Sequence, residues 1–378
     1  MAAMYELIDT QVGLERACRA LENGERLFLD TEFESSRAGA ELCLLQVSNG
    51  SEIFLIDALR LRALEPLSLL LARAREWVLH AGLQDVSLLK SRLGLADPPP
   101  IFDTQIGWAL IGPEHSVSLA YLVYRVLGIR TSKPHQADDW KRRPLPSSQL
   151  DYAAGDVEYL PALRKALGEQ SSALGREALV AEASRELLFP RPEARTPLSL
   201  DAFRNAWQLD RHSQAALRFL IEWYESLSDA EREWAPEAKT LFAIASRLPE
   251  SADELARIKG VPRRFSSEHG NRLTGGLMRA TAEADAADFR EIEPPPYATF
   301  EEIRLDAWLG RMRAELSTSL SVAPELAFPA RLVRRLRPPL ADGDIERAAA
   351  ELHGFRAPLL REAFLAFCRA EPPPVGRA

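Results

Sequence analysis

Apolar and polar positions come first in short bursts and then settle into helical spacing. The stretches "LFLDTEF" (27–33), "ELCLLQVS" (41–48) and "EIFLIDA" (52–58) read as strands, joined by turn-like links at 35–40 and 49–51. Three successive strands with short links predict an antiparallel meander. A helical pattern covers 61–73. A strand follows at "EWVLHA" (76–81), then a helix over "QDVSLLKSRLG" ending at Gly94, then a short strand ending at Asp103. From there to about residue 189 the pattern is mostly helical, with a break at 131–146. Strands first, then strand and helix in alternation, predict an α/β domain over residues 1–190 with a mixed sheet faced by helices. "PRPEARTPLS" (190–199) and "EIEPPPYAT" (291–299) read as linkers. They set off two all-α blocks, 200–289 and 298–370.

Composition narrows the class. A chain of 378 residues is longer than one core usually serves. Its apolar residues form no run long enough to span a bilayer, and "MAAMYELIDTQVGL" has no basic segment leading into an apolar one. Cys18, Cys43 and Cys368 lie far apart, which argues against a zinc site or a disulfide framework. A cytoplasmic protein is expected, with no membrane partner. No GxxxxGK[ST] loop is present, so no ATP-driven role is expected. The net charge is −8. Residues 1–190 carry −6 of it, with 20 Lys and Arg against 26 Asp and Glu. That balance counts mildly against a nucleic-acid binder. It also suits a domain that gathers carboxylates around cations.

The acids fall in a suggestive pattern. Asp30 and Glu32 are two apart on a strand, so they share a face. Alone they read as a polar strand end. Asp85 follows an apolar strand at the start of a helix, where an acid also complements the helix dipole. Tyr152 and Asp156 are four apart and share a helix face, provided the backbone stays helical past Gly155. Converging carboxylates repel unless protonated or bound to cations. Oxygen-only ligands suit Mg²⁺ or Mn²⁺. Two such ions ~3.5–4 Å apart can stabilise both the attacking and the leaving oxygen of a phosphoryl displacement.

Together "FLDTEF", "HAGLQD" and "YAAGDV" resemble the three motifs of the DEDD superfamily of 3′-5′ exonucleases, in the subgroup with a Tyr in the third motif. "FDTQIGWALIG", "SLAYLV" and "DDWKRRPLPSSQLDYAAGDVEYL" sharpen the resemblance to the ribonuclease D family, over roughly residues 5–170. Residues 200–285 resemble an HRDC domain, best at "LPESADELARIKGV" (248–261), and 300–370 hold the place of a second one. The resemblance implies an RNase H-like (DnaQ-like) nuclease domain followed by two HRDC-type helical domains. It implies 3′-5′ exoribonuclease activity that releases nucleoside 5′-monophosphates from RNA, with tRNA precursors as substrate. Asp30, Glu32, Asp85 and Asp156 take the positions that hold two divalent ions, Mg²⁺ or Mn²⁺. Tyr152 takes the position of the Tyr that serves the attacking water, and its ordinary pKa near 10 favours orienting that water. A monomer is expected. A DNA-directed exonuclease and a silent RNA-binding scaffold are the competing readings, and the complete acid set disfavours the second.

Thr31, Phe33, Gln46, His80 and Arg143 lie in family-like stretches and are candidates for substrate contact. Phe33 suits base stacking, which contributes about 1–3 kcal/mol. Trp140 and Arg143 also suit packing or pairing that holds the third-motif loop. Asp103 suits a helix cap. "IKGVPRR" (258–264) and "RLVRRLR" (331–337) are basic stretches that suit either a nucleic-acid backbone or plain solvent.

Overall fold

Two elements precede the expected meander, strand β1 (Glu6–Ile8) and helix α1 (Gln11–Leu21). The computed structural model describes residues 4–374 apart from 23, 37–38, 96, 132–138, 190–196, 233, 286–288, 295–296 and 298. Most of the linker expected at 190–199, part of that at 291–299 and the middle of the break at 131–146 thus lie outside the described residues. α1 buries Leu14, Ala17, Cys18 and Leu21 on one stripe, and the Thr10 hydroxyl caps it by accepting from the Gly13 N–H.

The meander comprises β2 (Arg26–Ser36), β3 (Gly39–Ser48) and β4 (Ile53–Asp57), with both pairings antiparallel as expected. α2 (Glu65–Arg73), β5 (Glu76–Leu79), α3 (Leu83–Leu93) and β6 (Ile101–Asp103) follow. α3 stops at Gly94, whose φ of 64° is a left-handed conformation that costs glycine little. β1 runs parallel to β4, β5 to β2, and β6 to β5. The result is a mixed six-stranded sheet in the order β1-β4-β3-β2-β5-β6.

Helices α4 (Thr104–Ala109), α5 (Leu119–Leu127), α6 (Ser147–Glu158), α7 (Leu160–Ala173) and α8 (Glu177–Leu188) complete the domain. α6 stays helical through Tyr152–Asp156, Gly155 included. Pro161 does not break it, because it falls in the first turn of α7, where a missing N–H is harmless. α6 closes over the sheet by packing Ala153 and Ala154 against Leu44 and Leu55.

Residues 193–298 form a compact unit of their own. Its helices α9 (Arg211–Ser226), α10 (Asp229–Arg232), α11 (Ala238–Arg247), α12 (Ala252–Ala256) and α13 (Arg263–Glu283) surround Leu217, Leu220, Leu241, Ile244 and Phe265. The last block holds α14 (Phe300–Ser319), α15 (Pro324–Ala327), α16 (Ala330–Ala341), α17 (Ile345–Ala350) and α18 (Arg356–Ala370). It shares one compact unit with the α/β domain. Phe328, Leu332, Phe355 and Phe364 belong to the same buried cluster as Ile106, Leu110 and Val180. The Ala323 N–H donates to the Ala109 carbonyl at 2.8 Å. The Arg176 guanidinium donates to the carbonyls of Leu110 (2.6 Å), Ser321 (3.2 Å) and Leu320. Arg176 thus satisfies carbonyls that the ends of α4 and α14 leave over. Among the described residues no helix is long and apolar enough to cross a membrane.

Candidate active site

β2 outruns one of its neighbours. β5 pairs with it only through Arg26–Phe28, so from Leu29 onward that edge of β2 is open. Asp30 and Glu32 follow on one face, opposite Gln46 and Leu44 of β3, and a register shift between Glu32 and Phe33 then re-aims the strand. α6 covers that face and delivers Asp156. One carboxylate oxygen from each of Asp30, Glu32 and Asp156 lies within 4.8 Å of the others.

Asp85 arrives from α3, behind a tight turn. Ala81 takes a left-handed φ of 55°. Gly82 leaves no room for a side chain, since a Cβ there would sit 2.9 Å from Leu79. The Gly82 N–H donates to Asp103 Oδ2 at 2.8 Å, and the other Asp103 oxygen accepts from the Gln105 and Ile106 N–H groups. Asp103 therefore caps α4, as expected, and pins the turn that carries Asp85. The Thr31 hydroxyl donates to Asp85 Oδ1 at 2.5 Å. Asp85 stands outside the close group of three, but its charge is felt by Asp30 and Asp156.

The electrostatics call for cations. Burial, then the charges of Asp156, Asp85 and Glu32, hold the Asp30 carboxyl well above the carboxylate range. Burial pushes Asp156 up to about 7 against the hydrogen bond it accepts from Tyr152. Asp85 is raised by burial and lowered by its bond from Thr31. Tyr152 is pushed up by burial and by the charges of Asp156, Glu32 and Asp30. Clustered oxygen donors that resist ionisation without a counter-charge fit a hard divalent cation such as Mg²⁺ or Mn²⁺.

The expected substrate contacts fare less uniformly. Phe33 is half-buried beside Glu32 and lines a cavity of about 470 Å³ with Leu83, Gln84, Ser87, Lys90 and Phe189. The other four side chains are enclosed or engaged by the protein itself. Thr31 is buried and its hydroxyl is engaged by Asp85. Gln46 is fully buried beneath α6, with no surface for a nucleotide. His80 donates from Nε2 to the Val117 carbonyl (3.0 Å) and meets the Thr104 hydroxyl with Nδ1 (2.9 Å), so both ring nitrogens face protein. Arg143 directs its N–H groups to both oxygens of Asp57 (2.6 and 2.9 Å) and to the carbonyls of Cys43, Trp140 and Arg142. It holds the loop before α6, where the buried Trp140 ring lies 6.4 Å from Tyr152. Asp57 is the residue the sequence reading missed. Its one signal is an acid closing an apolar strand. The basic stretches carry acids of their own: Arg264 pairs with Glu268, Arg335 with Glu351 and Arg337 with Asp306.

Comparisons with known proteins agree with this layout. The family model for 3′-5′ exonucleases matches residues 5–171. Ribonuclease D of Musicola paradisiaca is 32% identical over 88% of this chain and 90% of its own. Ribonuclease D of Pseudomonas paraeruginosa is also 32% identical, over 89% and 90%. The crystal structure of Escherichia coli RNase D, described as an exoribonuclease involved in structured RNA processing, superposes with a TM-score of 0.71 at 25% identity. It covers 98% of this chain and all of the other. With matching identity along nearly its whole length and the same fold around its acids, the chain belongs to the ribonuclease D family.

Proposed function

We propose that this 3′-5′ exoribonuclease works with two divalent cations, Mg²⁺ or Mn²⁺, and that it trims the 3′ ends of structured RNA, tRNA precursors above all, in the cytoplasm. The observation that carries the reading is the meeting of Asp30, Glu32 and Asp156 within 4.8 Å, with Asp85 close enough to perturb Asp30 and Asp156. Asp30, Glu32 and Asp156 would hold the ions with support from Asp85, and the bound ions would neutralise phosphate charge and activate water. Tyr152, a phenol with an ordinary pKa near 10, is read as orienting the attacking water through its hydroxyl. Phe33 offers a face for stacking the terminal base, and the adjoining cavity leaves room for it. Release of nucleoside 5′-monophosphates follows from water attack on the last phosphodiester. The two C-terminal helical blocks are read as HRDC-type modules that help retain RNA.

The test presents matched 3′-labelled RNA and DNA with Mg²⁺, with Mn²⁺ and with chelator. Mononucleotide release from RNA, abolished by chelator and by Asp30→Asn or Asp156→Asn, is expected. Equal action on DNA would favour the DNA-directed alternative. Chelator-resistant trimming would sink the metal reading.

A further inference from the structure

Gln46 is fully buried, and among the described residues neither Nε2 nor Oε1 of its amide has a hydrogen-bond partner. Interior amides are almost always paired, because an unpaired one gives up its bonds to water for nothing in return. The neighbourhood explains the orphan. On β4 the ladder partner of Gln46 is Leu55. Leu44, two residues back on the same face, packs with Leu55 under Ala153 and Ala154 of α6. On β2 the partner is Asp30, the one polar ladder neighbour Gln46 has. Directly opposed residues of an antiparallel pair point the same way, with Cβ atoms about 4.5–5.5 Å apart. The amide is therefore within reach of the Asp30 carboxylate.

We infer that Gln46 is a positioning residue for Asp30 in the cation-bound protein: there its Nε2–H donates to one carboxylate oxygen and leaves the other turned toward the divalent cation. This rests on the reading that the acids hold such cations. Ligating carboxylates are commonly fixed in this way by a hydrogen bond from behind. The role differs from nucleotide contact, which burial rules out, and from plain packing, which an apolar side chain of similar size would serve better.

The experiment titrates Mn²⁺ into the full chain by calorimetry, without RNA, in wild type, Gln46→Met, Gln46→Leu and Asp30→Asn. Wild type binds, and Asp30→Asn loses binding. Both Gln46 variants bind about 10–100-fold more weakly. Their metal-free Tm is equal to or above that of wild type, because an unpaired amide has been replaced by an apolar group. RNA trimming by Gln46→Met returns toward the wild-type rate as Mn²⁺ is raised. Affinity within twofold of wild type in both variants overturns the inference. So does a Gln46→Met protein that melts well below wild type or does not fold, since the amide's bonds would then be made without metal. Wild type that binds no Mn²⁺ overturns the metal reading itself, and is told apart by the wild-type titration alone.

Discussion

Arg143→Met is the perturbation that most directly tests how the third acid is held. Asp57 has a side chain only 2% exposed, and Arg143 is 15% exposed. The guanidinium makes two charged bonds to Asp57 and three to backbone carbonyls. Among the described residues, removing it leaves a buried carboxylate with the Leu59 and Arg60 N–H groups, at 3.1 and 3.3 Å. Stripping one partner from a buried ion pair costs about 3–5 kcal/mol, a large share of the ~5–15 kcal/mol that holds a domain together. Replacing both partners leaves no orphaned charge. The Asp57→Asn/Arg143→Met double variant therefore costs less than the two single variants added together, by at least ~2 kcal/mol. Urea unfolding of the four proteins gives the cycle. The loop that Arg143 ties carries Trp140, which packs beside Tyr152, so turnover falls about tenfold or more in Arg143→Lys while Mn²⁺ binding holds. Additive costs, or a loss under ~1 kcal/mol in Arg143→Met, would refute the reasoning.

Metal-free stability falls with rising pH. Asp156 sits at about 7 against an ordinary 3.8, so folding takes up a proton, and stability that is whole below pH 4 is lost as pH climbs through 7. Asp156→Asn removes on the order of 2–3 kcal/mol of the stability change between pH 5 and 8, as read by urea unfolding in chelator at the two pH values. An unchanged slope contradicts the assignment. Tyr152→Phe lowers kcat by ~10²-fold or more, with Mn²⁺ affinity kept within a few-fold; loss of metal binding instead would move Tyr152 into the ligand set. Phe33→Ala raises KM for RNA by ~5–100-fold with kcat nearly intact, matching the loss of one stacked base. An unchanged KM assigns Phe33 to the core.

The meander, α3 and α6 were legible because apolar runs, Gly94 and the i, i+4 pair Tyr152–Asp156 are local signals. β1 is three residues long, too short for a period to show. The stripe of α1 was present but muted, with small Ala17 and Cys18 in the middle of it. The spacing of the acids told which faces they share, and the fold supplied their meeting. What spacing could not tell is which polar side chains are already engaged. The partners of Arg143, His80 and Thr31 lie 86, 37 and 54 residues away in the chain. A basic or aromatic residue near a motif therefore looks equally available whether or not a distant carboxylate or carbonyl has claimed it. An amphipathic helix likewise shows that it buries a stripe, and leaves open against what. For that reason the shared core of the last block with the nuclease domain could not be read from α14 to α18 alone.

That shared core has a consequence in time. The sheet and its acids are encoded in the first half of the chain, yet the surface of α4 and α8 is sealed by residues 300–370. On the ribosome, at ~5–20 residues per second, the nuclease domain waits on the order of ten seconds or more for its final cover. A nascent chain stalled in between exposes the Ala109 carbonyl and the apolar ground around Val180. The enzyme thus reaches its finished shape only once residues 300–370 have followed the sheet out of the ribosome.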